Sequence, residues 1–240
     1  MKLARRYLIS GLVQGVGFRY FILQRAGDYG IDGWTRNLPD GSVEVFAEGD
    51  REALEEFERD LRQGPGSASM SDLKKLIRDV PDFPKPGILF RDITPLLKEP
   101  SAFRLAVDRI VERYRGEEID QILGIESRGF ILGSAVAYQL GAGLVPVRKP
   151  GKLPAATLRM NYMLEYGQDA LEMHADALKI GQRVLVVDDL LATGGTANAT
   201  VALARQAEAK VVGCAFLVEL EALRGREKLP DLPIFSLVTY

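Results

Sequence analysis

The chain has 240 residues, of which 47% are hydrophobic and 27% charged, and its formal net charge is −2. This composition is typical of a folded globular protein and excludes a disordered one. Residues 1–66 contain nine Lys/Arg and eleven Asp/Glu, and the remainder contains 22 of each. Neither part has the basic excess of a nucleic-acid-binding protein. No apolar run reaches the length of a membrane span, the first residues lack the apolar region of a signal peptide, and Cys214 is the single cysteine. We therefore expect a cytoplasmic protein with neither nucleic-acid nor membrane partners.

A change of composition divides the sequence in two. Residues 63–69, QGPGSAS, are rich in Gly, Pro and Ser, which is typical of a linker. We therefore predict two domains, residues 1–66 and residues 67–240.

The first domain has the pattern of a small α+β module. Its predicted elements are a strand at 5–10, a helix at 18–29, strands at 32–37 and 42–48 around a turn at 38–41, and a helix at 50–63 capped by Asp50. Their order is β-α-β-β-α.

Two blocks in this domain carry chemistry. In residues 11–19, GLVQGVGFR, the glycines Gly11, Gly15 and Gly17 form a loop whose N–H groups can surround a phosphate, and Arg19 on the following helix can pair with it. Together with residues 33–49, GWTRNLPDGSVEVFAEG, this block resembles the acylphosphatase family. The resemblance implies a ferredoxin-like fold in which Arg19 binds the phosphoryl group and Asn37 positions the attacking water.

The acylphosphatase resemblance ends early. The family continues with a further strand region, whereas this chain runs from residue 64 directly into its second domain. We therefore expect an incomplete ferredoxin-like module with an exposed sheet edge. Three interpretations stay open: a bifunctional fusion, a module that is vestigial or completed by a donated strand, and a fused reading frame in which Met70 is the natural start of the second enzyme.

In the second domain, strands rich in Val, Ile and Leu alternate with helices. The predicted strands lie at 119–125, 143–148, 183–188 and 210–220, and the predicted helices include 128–140 and 195–207. Such alternation predicts an α/β fold, with a parallel doubly wound sheet covered by helices.

The strongest motif is VLVVDDLLATGGT at residues 184–196. A buried strand ends in Asp188 and Asp189, and a Thr/Gly-rich turn leads into a helix, which is where open α/β sheets bind ligands. Backbone N–H groups at the helix start can hold a phosphate, while the two carboxylates suit the hydroxyls of a sugar and, through it, hydrated magnesium. We predict a ribose-5-phosphate site formed by Asp188, Asp189, Ala192, Thr193, Gly194, Gly195 and Thr196.

This strand, acidic pair and Thr-Gly-Gly-Thr loop resemble the signature of the type I phosphoribosyltransferases. The resemblance narrows to the adenine phosphoribosyltransferases through four further blocks: ILFRDITPLL at 88–97, GIESRGF at 124–130, VPVRKPGKLP at 145–154 and YMLEYGQDALEMH at 162–174. It implies a type I phosphoribosyltransferase fold with a small hood and a flexible lid hairpin. It also implies a homodimer and the conversion of adenine and 5-phosphoribosyl-1-pyrophosphate to AMP and pyrophosphate, which is a purine salvage reaction.

The resemblance assigns contacts to both substrates. Phe90 would stack on adenine, and the backbones of Leu89 and Arg91 would bind its edge. The turn at Ser127 and Arg128 presents a cation and main-chain amides suited to pyrophosphate.

Further pyrophosphate contacts would come from a cluster of three cations, partly reaching a neighbouring subunit: Arg148, Lys149 and Lys152. In the lid, Glu165 would manage a proton on the purine and Tyr166 would pack on the substrates. We expect His174 to be structural. Magnesium would be carried by the pyrophosphate sugar, with no metal ligand directly from the protein.

Other functions stay open at this point. The main activity could be acyl phosphate hydrolysis, or the acceptor could be another purine or pyrimidine base. A non-catalytic sensor of the pyrophosphate sugar that binds DNA would need a helix-turn-helix or a basic face, and the first domain offers a glycine phosphate loop instead.

Overall fold

The computed structural model describes residues 2–11, 13–14, 18–64, 70–164 and 167–240. The chain divides into two compact units, Met1–Ser69 and Met70–Tyr240. The predicted boundary at residues 66 and 67 and the predicted site residues Gly15, Gly17, Glu165 and Tyr166 lie outside the described residues. Among the described helices, none is both long enough and apolar enough to cross a membrane.

The first unit contains the predicted β-α-β-β-α order. Its elements are β1 (Leu3–Ile9), α1 (Phe18–Asp28), β2 (Asp32–Asn37), β3 (Val43–Gly49) and α2 (Arg51–Gln63). Asp50 stands at the N-cap position of α2, but its side chain makes no cap hydrogen bond, so the predicted cap is wrong in that respect.

The sheet of the first unit has three antiparallel strands in the order β1-β3-β2. Alternate residues of β3, among them Val45 and Ala47, are buried in a core with Leu54 and Phe57 of α2. Among the described residues, no strand pairs with the outer side of β1. β2 forms the other edge of this sheet.

The second unit begins with small elements and continues as an alternation of strands and helices. Its helices are α3 (Met70–Lys75), α4 (Thr94–Lys98), α5 (Pro100–Tyr114), α6 (Arg128–Leu140) and α7 (Gly195–Gln206), with short 3-10 turns at Glu221–Leu223 and Gly225–Lys228. Its strands are β4 (Arg78–Val80), β5 (Phe90–Asp92), β6 (Gln121–Ile125), β7 (Gly143–Val147), β8 (Thr157–Leu164), β9 (Gly167–His174), β10 (Arg183–Leu191), β11 (Lys210–Glu219) and β12 (Ile234–Thr239).

The main sheet of this unit is the predicted parallel sheet, with the strand order β12-β11-β10-β6-β7. On β10, Leu185 and Val187 are buried in a cluster with residues of α5 and α6. Val184 and Val186 are buried in a second cluster with residues of α7 and β9. Both faces of the strand are covered, which explains why the sequence is continuously apolar there.

Two smaller antiparallel pairs accompany the sheet: β4 with β5, and the hairpin β8–β9. Strand β10 also runs further than predicted, to Leu191, because Leu190 and Leu191 still pair with β11. Asp188 and Asp189 therefore lie within the strand and not at its end.

Residues 70–82 belong to the second unit. Leu73 and Ile77 are buried in its core with Ile93 and Leu96, and β4 pairs with β5. The segment that follows the seam is thus used entirely by the second fold.

Leu73→Ala is therefore expected to destabilise the second unit by about 2–5 kcal/mol, the usual cost of a truncated core leucine. Thermal unfolding should be followed by circular dichroism and by fluorescence of Trp34, which is the single tryptophan and lies in the first unit. The matched change, Phe57→Ala, should instead lower the Trp34 transition. If Leu73→Ala shifted only the Trp34 transition, the assignment of residues 70–82 to the second unit would be contradicted.

Candidate active site

One cleft lies beyond the carboxyl ends of β6 and β10, where parallel sheets bind ligands. Ten of the predicted site residues line it: Ser127, Arg128, Lys149, Asp188, Asp189, Ala192, Thr193, Gly194, Gly195 and Thr196. Glu126, Leu190, Leu191 and Ala197 also line it and were not predicted. The structure thus brings together segments that are far apart in the sequence.

The loop between β10 and α7 has the form of an anion site. Gly194 stands at the N-cap of α7 with a φ of 75° and, as a glycine, has no side chain with which to cap the helix. The amides of the first helical turn are therefore left for a ligand, and the helix dipole favours a negative one.

Gly225 supports this loop from behind. A Cβ atom added to Gly194 would lie 2.3 Å from the carbonyl oxygen of Gly225, and one added to Gly225 would lie 2.4 Å from the carbonyl oxygen of Ala192. Two backbones are therefore in contact, which only glycine at both positions allows. Sequence reasoning missed Gly225, because it lies in a later turn with no motif of its own.

The two neighbouring aspartates are buried in the cleft. Asp188 is 9% exposed and Asp189 is 5% exposed. Burial, together with the charge of Asp189, raises the pKa of Asp188 well above its usual range. Burial also raises the pKa of Asp189, although Arg128 opposes the shift through an ion pair of 2.7 Å between Nε and Oδ2.

Lys149 reaches from the loop after β7 to the hairpin. Its ammonium group forms an ion pair with Asp169 and donates a hydrogen bond of 2.9 Å to the Tyr162 hydroxyl. Burial opposes its charge, but these two partners outweigh burial and raise the pKa of Lys149. The side chain therefore stays charged at the edge of the cleft.

Arg148 and Lys152 do not line the cleft themselves. Both are bound by Glu126, which forms an ion pair with Lys152 and lies 3.3 Å from Nε of Arg148. Burial would raise the pKa of Glu126, but Lys152, the Lys149 amide and Arg148 together lower it. Sequence reasoning treated Glu126 as part of a motif and gave it no role.

The predicted base-binding strand, β5, adjoins the cleft through Arg128. The guanidinium carbon of Arg128 lies 5.0 Å from the centre of the Phe90 ring, and Phe83 contacts that ring edge-on. Arg91 turns its side chain to Asp79 and to the ring of Tyr240, 3.7 Å away. Only the backbone of Arg91 is thus left for a base, and Leu89 is 45% exposed beside it.

In the first unit, Arg19 lies in the first turn of α1 and Asn37 ends β2, and both are exposed. Gln14 links the two regions, because its side-chain amide donates to the carbonyl oxygens of Leu38 at 2.8 Å and Ser42 at 2.7 Å. The loop before α1 is thereby tied to the turn that follows Asn37.

Comparison with known families agrees with the architecture of the second unit. The phosphoribosyl transferase domain model matches residues 96–238, which is more than half of the chain. The chain belongs to the phosphoribosyltransferase family. An acylphosphatase model matches residues 5–82, and so extends past the seam into the segment that the second unit uses.

Relatives in that family include adenine phosphoribosyltransferases. The enzyme of Acidobacterium capsulatum is 59% identical over 174 residues, which cover 72% of this chain and 96% of the relative. That of Synechococcus sp. is 61% identical over 169 residues, 70% of this chain and 99% of the relative.

Solved structures give the same result. Adenine phosphoribosyltransferase from Rhodothermus marinus is 53% identical, with a TM-score of 0.69, over 71% of this chain and 98% of that one. The enzyme from Giardia lamblia, solved with 9-deazaadenine, is 38% identical, with a TM-score of 0.68, over 72% of this chain and 98% of that one.

The buried carboxyl of Asp188 has a consequence for stability. Because its pKa is raised in the folded state, the folded protein keeps this proton to higher pH than the unfolded chain does. Stability is therefore lost as the pH rises from the usual aspartate range through the raised pKa, and the whole cost is present above it. Asp188→Asn should remove that cost.

The melting temperature of Asp188→Asn should accordingly exceed that of the wild type at about pH 8, by ~2–4 °C for each kcal/mol relieved. Near pH 4, where the folded carboxyl is protonated, the two proteins should melt together. Scanning calorimetry at both values makes the comparison. If the two melting temperatures differed equally at both pH values, a raised pKa of the buried Asp188 carboxyl would be contradicted.

Gly225→Ala tests the support of the phosphate loop. The added methyl group must displace the Ala192 carbonyl, so kcat/KM for the phosphorylated substrate should fall by at least about tenfold, or ~1.4 kcal/mol. Gly116→Ala is the matched control, because an added Cβ there meets nothing within 4 Å. Steady-state kinetics on both variants would contradict this account if Gly225→Ala retained wild-type efficiency.

Proposed function

We propose that the second unit makes AMP and pyrophosphate from adenine and 5-phosphoribosyl-1-pyrophosphate in the cleft at the ends of β6 and β10. The observation that carries the proposal is the shared cleft, in which ten residues predicted from separate motifs lie together. Relatives at about 60% identity over nearly their whole length support the same reaction.

The sugar phosphate would occupy the β10–α7 loop. The amides of Ala192 to Thr196 would bind the 5-phosphate, with hydroxyl donors from Thr193 and Thr196. Asp188 and Asp189 would accept hydrogen bonds from the ribose hydroxyls. Their burial supports this role. A buried carboxylate has lost its hydrogen bonds to water, and a sugar hydroxyl that donates a hydrogen bond to it replaces them.

The pyrophosphate would lie between the turn of Ser127 and Arg128 and the loop that carries Arg148, Lys149 and Lys152. The buried aspartate pair fits a nearby cation, because positive charge offsets the repulsion between the two carboxylates. Magnesium carried by the pyrophosphate sugar would supply that charge and neutralise the departing group.

Adenine would stack on Phe90 and bind the backbones of Leu89 and Arg91. The outward contacts of the Arg91 side chain support a backbone role for this residue. Glu165 and Tyr166 lie in the connection of the β8–β9 hairpin, and we propose that this hairpin covers the site, with Glu165 managing the purine proton.

The reaction would be a displacement at the anomeric carbon with oxocarbenium character. Pyrophosphate leaves with the bonding electrons, and a purine nitrogen forms the new bond. The protein needs to do little covalent chemistry. Its contribution would be to align the two substrates and to stabilise the charge of the departing pyrophosphate through Arg128, Lys149 and Lys152.

We also propose a homodimer in the cytoplasm. Ile131 and Tyr138 of α6 are 45% and 87% exposed and lie seven residues apart, hence on one face of the helix. An exposed apolar stripe of this kind suits a subunit contact. Cys214 is a buried free thiol, as expected for a reducing compartment.

Acyl phosphate hydrolysis by the first unit is the second candidate function. It is supported by the match to the acylphosphatase model and by the contacts of Gln14 with Leu38 and Ser42, in the turn that follows Asn37. In this reaction Arg19 would bind the phosphoryl group and Asn37 would orient the attacking water.

A coupled assay of the full-length protein with adenine, the pyrophosphate sugar and magnesium, beside benzoyl phosphate hydrolysis, tests both proposals. We expect adenine transfer in the wild type, and a loss of about a hundredfold or more in Arg128→Ala, because the variant loses a cation from the departing group. Arg19→Ala should leave transfer unchanged and abolish any hydrolysis.

The outcomes separate the alternatives. Hydrolysis without transfer would make the first unit the main enzyme. Binding of the pyrophosphate sugar without transfer would favour a sensor. Transfer with another base in preference to adenine would reject the assignment of the acceptor.

A further inference from the structure

The loop at residues 148–152 concentrates positive charge. Arg148, Lys149 and Lys152 lie within five residues, between β7 and β8. Like charges so close repel one another, so the loop needs opposite charge to keep a single shape. Asp169 pairs with Lys149. Two glutamates that sequence reasoning did not single out make the other contacts that hold the loop.

Glu126 is the first of them. It follows β6 and is tied to the end of β7 through its own amide, which donates to the Val147 carbonyl at 2.9 Å. Its carboxylate is 11% exposed, accepts the Lys149 amide at 3.0 Å, and forms ion pairs with Arg148 and Lys152. One carboxylate therefore contacts three residues of the loop and precedes Arg128 by only two positions.

Glu172 of β9 is the second. Its residue exposure is 8%, and its Oε2 accepts the Gly151 amide at 3.0 Å. Its backbone also exchanges hydrogen bonds with Arg148, at 2.9 Å and 2.7 Å. The loop is thus held at its other end by the hairpin.

We infer that Glu126 and Glu172 are positioning residues that hold the 148–152 loop against the turn of Arg128 and so set the geometry of the pyrophosphate site. The inference rests on the proposed function. Both carboxylates act through the loop, since their hydrogen bonds go to loop atoms. A carboxylate bound in this way orders the loop. The negative charge of Glu126, which would repel pyrophosphate, is offset by Arg148 and Lys152.

If Glu126 had the opposite role, its removal would change the affinity for pyrophosphate in the opposite direction. If Glu126 merely occupied the cations until substrate displaced it, its removal would free Arg148 and Lys152 and tighten the binding of pyrophosphate. If it positions them, its removal lets the cations separate, and binding weakens. The sign of one measured affinity therefore decides between the two roles.

The experiment uses the full-length protein and the variants Glu126→Gln, Glu172→Ala and Glu172→Gln. Calorimetric titration with inorganic pyrophosphate and magnesium gives Kd, and steady-state kinetics give KM for each substrate. Glu126→Gln and Glu172→Ala should each raise the pyrophosphate Kd and the KM for the pyrophosphate sugar about tenfold, or ~1.4 kcal/mol. The KM for adenine should change less than about twofold, because the hydrogen bonds of both carboxylates go to the 148–152 loop and the base site should stay intact.

Glu172→Gln should restore binding, since its amide oxygen can still accept the Gly151 amide. Glu112→Gln is the matched control, because Glu112 is 68% exposed and distant in the sequence from every site residue. Tighter pyrophosphate binding by Glu126→Gln, or an equal loss for adenine and pyrophosphate, would overturn the inference.

The same measurements distinguish a failure of the proposed function from a failure of this inference. If the wild type binds pyrophosphate but transfers nothing to adenine, the reaction is wrong and the titrations still test the two glutamates. If the wild type does not bind pyrophosphate, the loop is no pyrophosphate site and this inference is rejected with it.

Discussion

Cations that bind a polyanion must first be held close together without it, and this constraint shapes the whole cleft. Each cation that we assign to pyrophosphate has a carboxylate partner in the structure: Arg128 with Asp189, Lys149 with Asp169, and Arg148 and Lys152 with Glu126. These carboxylates hold the cations in place before any substrate is bound. The cations would therefore need little reorganisation when a phosphorylated substrate arrives.

The parallel sheet makes this arrangement possible. Strands β6 and β10 are neighbours and point the same way, so the turn after β6 and the loop after β10 meet at one edge. The ion pair between Arg128 and Asp189 joins the two directly. The charged groups at the ends of β6 and β10 are thereby attached to the buried sheet.

Much of this could be predicted from the sequence, because the governing signals are local. A continuous apolar run gives a strand covered on both faces, as Val184 to Val187 show. The following acidic pair and glycines act within the same few residues. The end of β10 was missed because pairing of Leu190 and Leu191 with β11 is a tertiary contact that extends the strand beyond its apolar run.

The other residues that sequence reasoning missed also depend on tertiary contacts. Gly225 matters only because its backbone meets Ala192, and Tyr240 only because its ring lies against Arg91. Glu126 and Glu172 carry no motif for the contacts that they make with the 148–152 loop. Each of these residues is defined by a partner far along the chain, which no local pattern specifies.

Residues 70–82 could belong to either domain by sequence, because the acylphosphatase model extends over them. In the structure they are part of the second unit. In the folded protein α3 packs against β12, the last strand of the sheet. A ribosome delivers residues 70–82 long before it delivers Ile234–Thr239. The partners of this segment in β5 are made soon after it, whereas its partner β12 is among the last parts of the chain to be made. The packing of α3 is therefore complete only when translation is nearly finished.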